Sequence, residues 1–261
     1  MFNKLRKTHI QGVIYMAIEV FNRYETKFLL NRAQFEAMQR AIADKTIPDK
    51  YCIDGKFYTI CNVYYDTPDN ELIRRSLSKP VYKEKLRLRS YGTPKLGTPV
   101  FLEIKKKYDH IVNKRRTTIG LESAKMLTEH LIRPEHLSYA NEQVMDELYY
   151  FVQIYNPLQP KVYLAYDRQA YAGIEDSELR ITFDKNIRTR RYDVGLEYGD
   201  YGRQLLNEGV WLMEIKCAGA MPLWLTDVLS KNKIYKTSFS KYGTEYKQYL
   251  AGKDTGVKIY A

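Results

Sequence analysis

The stretch KEKLRLRS, from Lys83 to Ser90, constrains the fold more than any other part of this chain. Leu86 and Leu88 fall on one parity, and Lys83, Lys85, Arg87 and Arg89 fall on the other. A period of two is that of a β-strand, whose successive side chains point to opposite faces. One face of this strand therefore carries a row of cations spaced about 7 Å apart. The other face carries leucines that need cover. The same two-faced code recurs. Glu19, Phe21, Arg23, Glu25 and Lys27 share a face, as do Glu103, Lys105 and Lys107, then Lys114 and Arg116, then Tyr166 and Arg168. Arg180, Thr182 and Asp184 oppose Leu179, Ile181 and Phe183, and Glu214 and Lys216 oppose Trp211, Met213 and Ile215. With YTICNVYYDT, which is strand-like up to Thr67-Pro68, about eight strands are predicted.

An open sheet would turn its charged faces to water. A closed barrel would point them into a lumen, cover the apolar faces with helices, and remove exposed strand edges. The charged faces favour the barrel. They repeat Arg or Lys with one Glu, strand after strand, rather than the mixed polar set of a solvated face. Such cations repel one another unless an anion fills the lumen. Arginine also grips phosphate oxygens through paired hydrogen bonds.

Helical spacing appears at Phe35, Met38 and Ile42, in ELIRRSL with Asp69 as its cap, through most of 121–156, and in a C-terminal helix, basic loop and helix beginning at Pro222. The expected fold is α+β: an eight-stranded antiparallel β-barrel with helices packed outside. No linker, repeat or low-complexity segment divides the chain. One domain is expected over 18–250, between an N-terminal extension (1–17) and a C-terminal tail (251–261).

The 42 basic and 31 acidic residues give a net charge of +11, which favours an anionic partner. No recognisable nucleic-acid reader motif is present, and the cations are spread over strands rather than along one helix; nucleic acid is not expected. The three cysteines, Cys52, Cys61 and Cys217, form no CxxC pair. That disfavours a disulfide framework or structural zinc and fits a reducing cytoplasm. No apolar run approaches the ~18 residues of a membrane span.

RYETKF, KLRLRSYG, FLEIKKK…NKRR, YDRQAY, LRITFDKNI, LMEIKCAG and SFSKYGTEY occur in the order found in the VTC domain. This is the catalytic domain of the vacuolar transporter chaperone polyphosphate polymerase and its bacterial relatives, within the triphosphate tunnel metalloenzyme superfamily. The resemblance covers about residues 18–250. It implies an eight-stranded tunnel that takes a nucleoside triphosphate by its phosphates, with Mn2+ or Mg2+, and transfers the γ-phosphate to a growing polyphosphate chain. Carried over by motif, Lys27, Arg87, Arg89, Lys105, Lys114, Arg116, Arg168 and Arg180 bind phosphates, and Tyr166 assists. Ser240 and Lys241 close from the C-terminal segment, and Glu214 holds the metal. Glu25 stands equally as a second metal ligand or an ion-pair partner. Glu103 is expected to pair with Arg or Lys, and Asp184 to be a strand-end partner. Lys83 and Lys106 are expected at the periphery, with Lys85 undecided, and Tyr64, Tyr65 and Cys217 as packing residues.

Two departures limit the resemblance. The CYTH branch of the superfamily opens with Glu-x-Glu-x-Lys; here Arg23 occupies the first position, which favours the VTC branch. Eukaryotic polymerases add an inositol-phosphate-sensing domain and membrane segments that these 261 residues do not encode. A membrane protein receiving the polymer would be a separate partner.

Phosphoryl transfer needs positioning and charge neutralisation more than covalent chemistry. Three readings follow: a polyphosphate polymerase using ATP or another nucleoside triphosphate, a triphosphatase in the same tunnel, and a non-catalytic polyphosphate binder.

Overall fold

The structure, a computed structural model, describes residues 24–254 apart from positions 96, 110 and 136–140. The expected 1–17 extension, the Glu19, Phe21 and Arg23 face, and the tail beyond 254 lie outside the described residues. The chain runs β1 (Tyr24–Leu30), α1 (Arg32–Ile42), β2 (Thr46–Pro48), β3 (Tyr58–Asp66), α2 (Glu71–Leu77), β4 (Tyr82–Tyr91), β5 (Val100–Tyr108) and β6 (Ile111–Ile119). It continues with α3 (Leu121–His130), α4 (Glu142–Ile154), β7 (Gln159–Gly173), β8 (Arg180–Arg190), β9 (Arg203–Gln204), β10 (Trp211–Cys217), α5 (Leu223–Lys231), β11 (Lys236–Thr237) and α6 (Lys241–Asp254).

All pairings are antiparallel, in the order β11-β1-β10-β8-β7-β3-β4-β5-β6, with β2 on β7 and β9 on β8. Of these, β1, β3, β4, β5, β6, β7, β8 and β10 are the long strands, the number expected from the alternating code. Closure differs from expectation. Among the described residues no ladder joins β6 to β1, because the outer edge of β1 is taken by β11. The sheet nonetheless curls until its margins face each other: Lys105 on β5 comes within 3.7 Å of Glu25 on β1. Register shifts at Tyr64/Tyr65 and Ala165/Asp167 add the local twist that such curling requires.

Covering the outer face creates two cores. Val63, Leu86, Leu88, Leu102, Ile104 and Tyr163 pack under Leu127 of α3 and Leu148, Phe151 and Val152 of α4. Phe28, Leu30, Ile181, Phe183, Met213, Ile215 and Cys217 pack under Met38 and Ile42 of α1 and Leu225 and Leu229 of α5. Each such fully buried aliphatic contributes about 1.5–3 kcal/mol. The leucine parity of KEKLRLRS is therefore the outer wall, which commits the cationic parity to the inside. Asn31 starts α1 with a reciprocal cap, its side chain accepting from Gln34 N while Gln34 Oε1 accepts from Asn31 N.

Helices cover the outer face as expected, and two helices also reach the inner side. A third cluster joins Ile60, Tyr64, Val162, Leu164, Tyr166 and Leu212 of the inner face to Ile73 of α2 and Tyr242 and Tyr246 of α6. These two helices fill part of the inner side where Ile60, Tyr64, Val162, Leu164 and Tyr166 turn apolar side chains inward and need cover. The cap of α2 also differs. Asp69 pairs with Arg74 instead. The helix start is served by Asp66, whose carboxylate accepts from Leu72 N (2.8 Å) and Ile73 N (3.0 Å), and by the Thr67 hydroxyl, which accepts from Glu71 N.

Candidate functional site

Three groups of ion pairs organise the inner face. In the first, Glu103 of β5 is 1% exposed. It accepts from Arg87 Nε at 2.6 Å and lies 2.7 Å from Lys114 Nζ and 3.8 Å from Arg89 Nε. The register dictates this meeting, because Glu103 sits opposite Arg87 on one side and Arg116 on the other. Burial alone would raise the Glu103 carboxyl; Arg87, Arg89 and Lys114 outweigh it and hold it well below the usual range. Arg89 also donates to Asn62 Oδ1 (3.0 Å) and to the Tyr166 hydroxyl (3.2 Å).

In the second group, Asp184 of β8 accepts two parallel hydrogen bonds from Arg168 of β7, at 2.6 and 2.8 Å. Lys241, the first residue of α6, lies 2.6 Å from the same carboxylate. Its ammonium and the Arg168 guanidinium also approach the Tyr166 ring, 4.5 and 5.0 Å from the centroid. Burial would raise the Tyr166 phenol, but Arg168, Arg89 and Lys241 push it below its ordinary value.

The third group spans β1 and β10, where Lys27 faces Glu214 and Glu25 faces Lys216. Glu214 is buried and lies 3.2 Å from Lys241 and 3.5 Å from Lys27. Glu25 lies 3.2 Å from Lys27, 3.7 Å from Lys105 and 3.9 Å from Lys216. Burial opposes ionisation of both acids. Lys241, Lys27 and Arg168 hold Glu214 well below its ordinary value, and chiefly Lys105 brings Glu25 down to about 2. Lys27 also donates to the carbonyl of Phe239, just before α6.

The cationic row of β4 divides. Arg87 and Arg89 sit in the pairing network. Lys85 points inward over the Tyr242 ring, 5.9 Å from its centroid. Burial pushes its ammonium down to about 8, Lys105, Lys83 and Lys27 adding to the effect against Tyr64. Lys83 donates to the Ser76 carbonyl at the edge, and Lys106 pairs with Glu147 on the outer side. Arg180 lies at one rim, 4.0 Å from Asp49, and Arg116 is exposed over the Phe101 ring. The Ser240 hydroxyl accepts from Gly243 N, which makes it a cap of α6.

Several inner-face residues were absent from the motif-based site. Asp184 is fully buried in mid-strand, not a strand-end partner. Tyr64 is more than packing: its hydroxyl accepts from Arg87 at 3.4 Å. Asn62 and Lys216 complete the lining. The alternating parity that selected Arg168 and Glu214 also selects Asp184 and Lys216; nothing in the apolar context of β3 marks Asn62 or Tyr64.

Among the described residues, no three of His, Cys, Asp and Glu are grouped to hold a metal by themselves. Glu214 and Glu25, on neighbouring strands, offer hard carboxylate oxygens. That donor set fits Mg2+ or Mn2+ held by one or two carboxylates, with phosphate oxygens and water completing the shell. Lys27, now between the two acids, would have to yield.

A family model for the VTC domain matches residues 22–250. No curated protein matches the chain. Among solved structures, a candidate adenylate cyclase from Bacillus halodurans is similar with a TM-score of 0.50 and 17% identity, over 85% of this chain and 94% of that one. A candidate adenylyl cyclase from Hippeastrum, described as having a dominant triphosphatase activity, gives a TM-score of 0.52 and 15% identity, over 86% and 95%. At those identities the likeness concerns the fold.

Proposed function

Because this chain belongs to the VTC domain family, we propose that it is a polyphosphate polymerase that moves the γ-phosphate of ATP, or of another nucleoside triphosphate, onto a growing inorganic polyphosphate chain. The observation carrying this reading is the convergence of cations from six strands and one helix on a single inner face. Lys27, Lys85, Arg87, Arg89, Lys105, Lys114, Arg168, Lys216 and Lys241 outnumber the carboxylates Glu25, Glu103, Asp184 and Glu214 that accompany them. A polyphosphate segment supplies the missing negative charge.

In this reading Arg87 and Arg89, oriented by Glu103 and Asn62, grip phosphate oxygens and withdraw charge as the leaving group departs. Arg168, fixed by Asp184, and Lys241, brought in by α6, close on the transferred group from the other side. The terminal phosphate of the acceptor is already ionised and needs little help from a general base. Glu214, with Glu25, would hold a divalent cation, which would supply positive charge beside the phosphates. A cytoplasmic location is proposed with this function; among the described residues no helix is long and apolar enough to cross a membrane.

Incubation with ATP and Mn2+ or Mg2+, followed by sizing of the product, tests the proposal: long chains are expected. Release of phosphate without chains favours the triphosphatase reading, supported by the activity described for the Hippeastrum protein of the same fold. Tight, salt-sensitive binding without turnover would leave a polyphosphate binder.

A further inference from the structure

The inner face changes character along its length. Between β4 and β5, Lys83 faces Lys107, Lys85 faces Lys105, Arg87 faces Glu103, and Arg89 faces Phe101. The next inward residue of β4 is Tyr91. Lysines therefore meet lysines at one end, and rings gather at the other. Tyr91 stacks on Tyr51 with centroids 4.2 Å apart and planes 11° from parallel. Phe101 stands edge-on to Tyr91 at 5.9 Å, and Tyr58 lies 6.1 Å away. All four rings are only partly buried. The Arg116 guanidinium lies over Phe101, 4.9 Å from its centroid.

A phosphate chain gains little from aromatic rings, whereas a nucleobase stacks on them and on guanidinium planes. The spacing suits a nucleotide. Tyr91 and Arg87 are four residues apart on one strand, about 13 Å, the order of length of an extended nucleoside triphosphate from base to terminal phosphate. Arg89 lies between them.

We propose that Tyr91, with Tyr51, Tyr58 and Phe101, seats the base of the nucleoside triphosphate. The substrate then lies with its nucleoside at the aromatic rim and its phosphates running inward past Arg89 to Arg87. This assignment rests on the reading of the tunnel as a nucleoside-triphosphate site. It adds which end the nucleoside occupies and what recognises it, namely stacking, which accepts any base face.

Calorimetric titration of the whole protein with ATP and, separately, with inorganic tripolyphosphate tests it, with EDTA present to hold turnover off. Base stacking predicts that Tyr91→Leu weakens ATP about tenfold and leaves tripolyphosphate nearly unchanged. Phe101→Leu should act in the same direction. Retained tripolyphosphate affinity serves as the check that each variant is folded. Equal loss of both ligands, or loss of neither, overturns the base seat. Wild-type protein that binds tripolyphosphate but not ATP also overturns it. Wild-type protein that binds neither overturns the tunnel reading beneath it.

Discussion

The Nζ of Lys241 lies 2.6 Å from Oδ2 of Asp184, joining the first residue of α6 to the middle of β8. The contact brings the C-terminal helix onto the inner face of the sheet. It also means that the cations and acids of the inner face are held by internal ion pairs, which under the proposed function a polyanion would compete for. Tyr242, the next residue, anchors the same turn by donating to Asp66 at 3.1 Å and stacking on Tyr64 at 4.8 Å. Replacing Lys241 by Met takes one positive partner from each of Asp184 and Glu214, which keep Arg168 and Lys27, so the cost should fall below the roughly 3–5 kcal/mol of a fully uncompensated buried charge. Denaturant unfolding of Lys241→Met is expected to show that loss, together with a fall in ATP consumption. Lys241→Arg should recover most of the stability. Wild-type stability and turnover in the Met variant would show that this lysine holds nothing.

Glu214 is the acid on which the proposed metal dependence turns. Glu214→Gln keeps the shape but removes the charge. It is expected to abolish metal-dependent ATP consumption while tripolyphosphate binding in EDTA persists or tightens. Intact metal-dependent turnover in this variant would contradict its assignment as a metal ligand.

Glu103 supplies the counter-charge for Arg87, Arg89 and Lys114 when no anion is present. Glu103→Gln strands those cations, so the ligand-free variant should melt several degrees lower, in line with about 3 kcal/mol for an uncompensated buried pair. Added tripolyphosphate should raise its melting temperature by more than it raises that of wild type. Equal shifts in the two proteins would mean that the carboxylate and the anion do not share partners.

The crowding at Lys85 gives a pH signature. Burial, with Lys105, Lys83 and Lys27 nearby, pushes its ammonium down to about 8, below the ordinary lysine value and against the opposing effect of Tyr64. Between roughly pH 8 and 10 the unfolded chain therefore binds more protons at this site than the folded one, so this site adds stability to the ligand-free protein as pH rises. A bound polyanion favours the charged form and draws a proton in. Titrations with tripolyphosphate at pH 8 in buffers of different ionisation enthalpy should reveal proton uptake. Affinity should fall as pH rises from 7 to 9, and Lys85→Met should reduce both effects.

The site roles of Arg87, Arg168 and Glu214 came from the resemblance to the VTC domain, whereas alternation of charged and apolar residues in β4, β5, β8 and β10 was enough to predict long strands and their inward parity. It worked because side-chain direction in a strand depends on parity alone. Asp69 stands nearer the start of α2 than Asp66 and so reads as its cap, but the bend between β3 and α2 carries the Asp66 carboxylate to the helix amides instead. Asn62 is not marked by the sequence, and Tyr64 reads there as packing, because β3 carries no cations and its inward parity mixes Ile60, Asn62 and Tyr64, so alternation labels it weakly.

By itself, the sequence determined which face of each alternating strand would be charged and that the charge would be largely positive, since both follow from residue order. Only the tertiary structure decided which cation meets which acid. Strand register and curl bring Lys105 to Glu25 across the lumen, and the docking of α6 carries Lys241 to Asp184 and Glu214. Those partnerships join segments far apart in the chain, and the electrostatics that tune them fall off over a few ångströms of space, a distance that residue order does not encode.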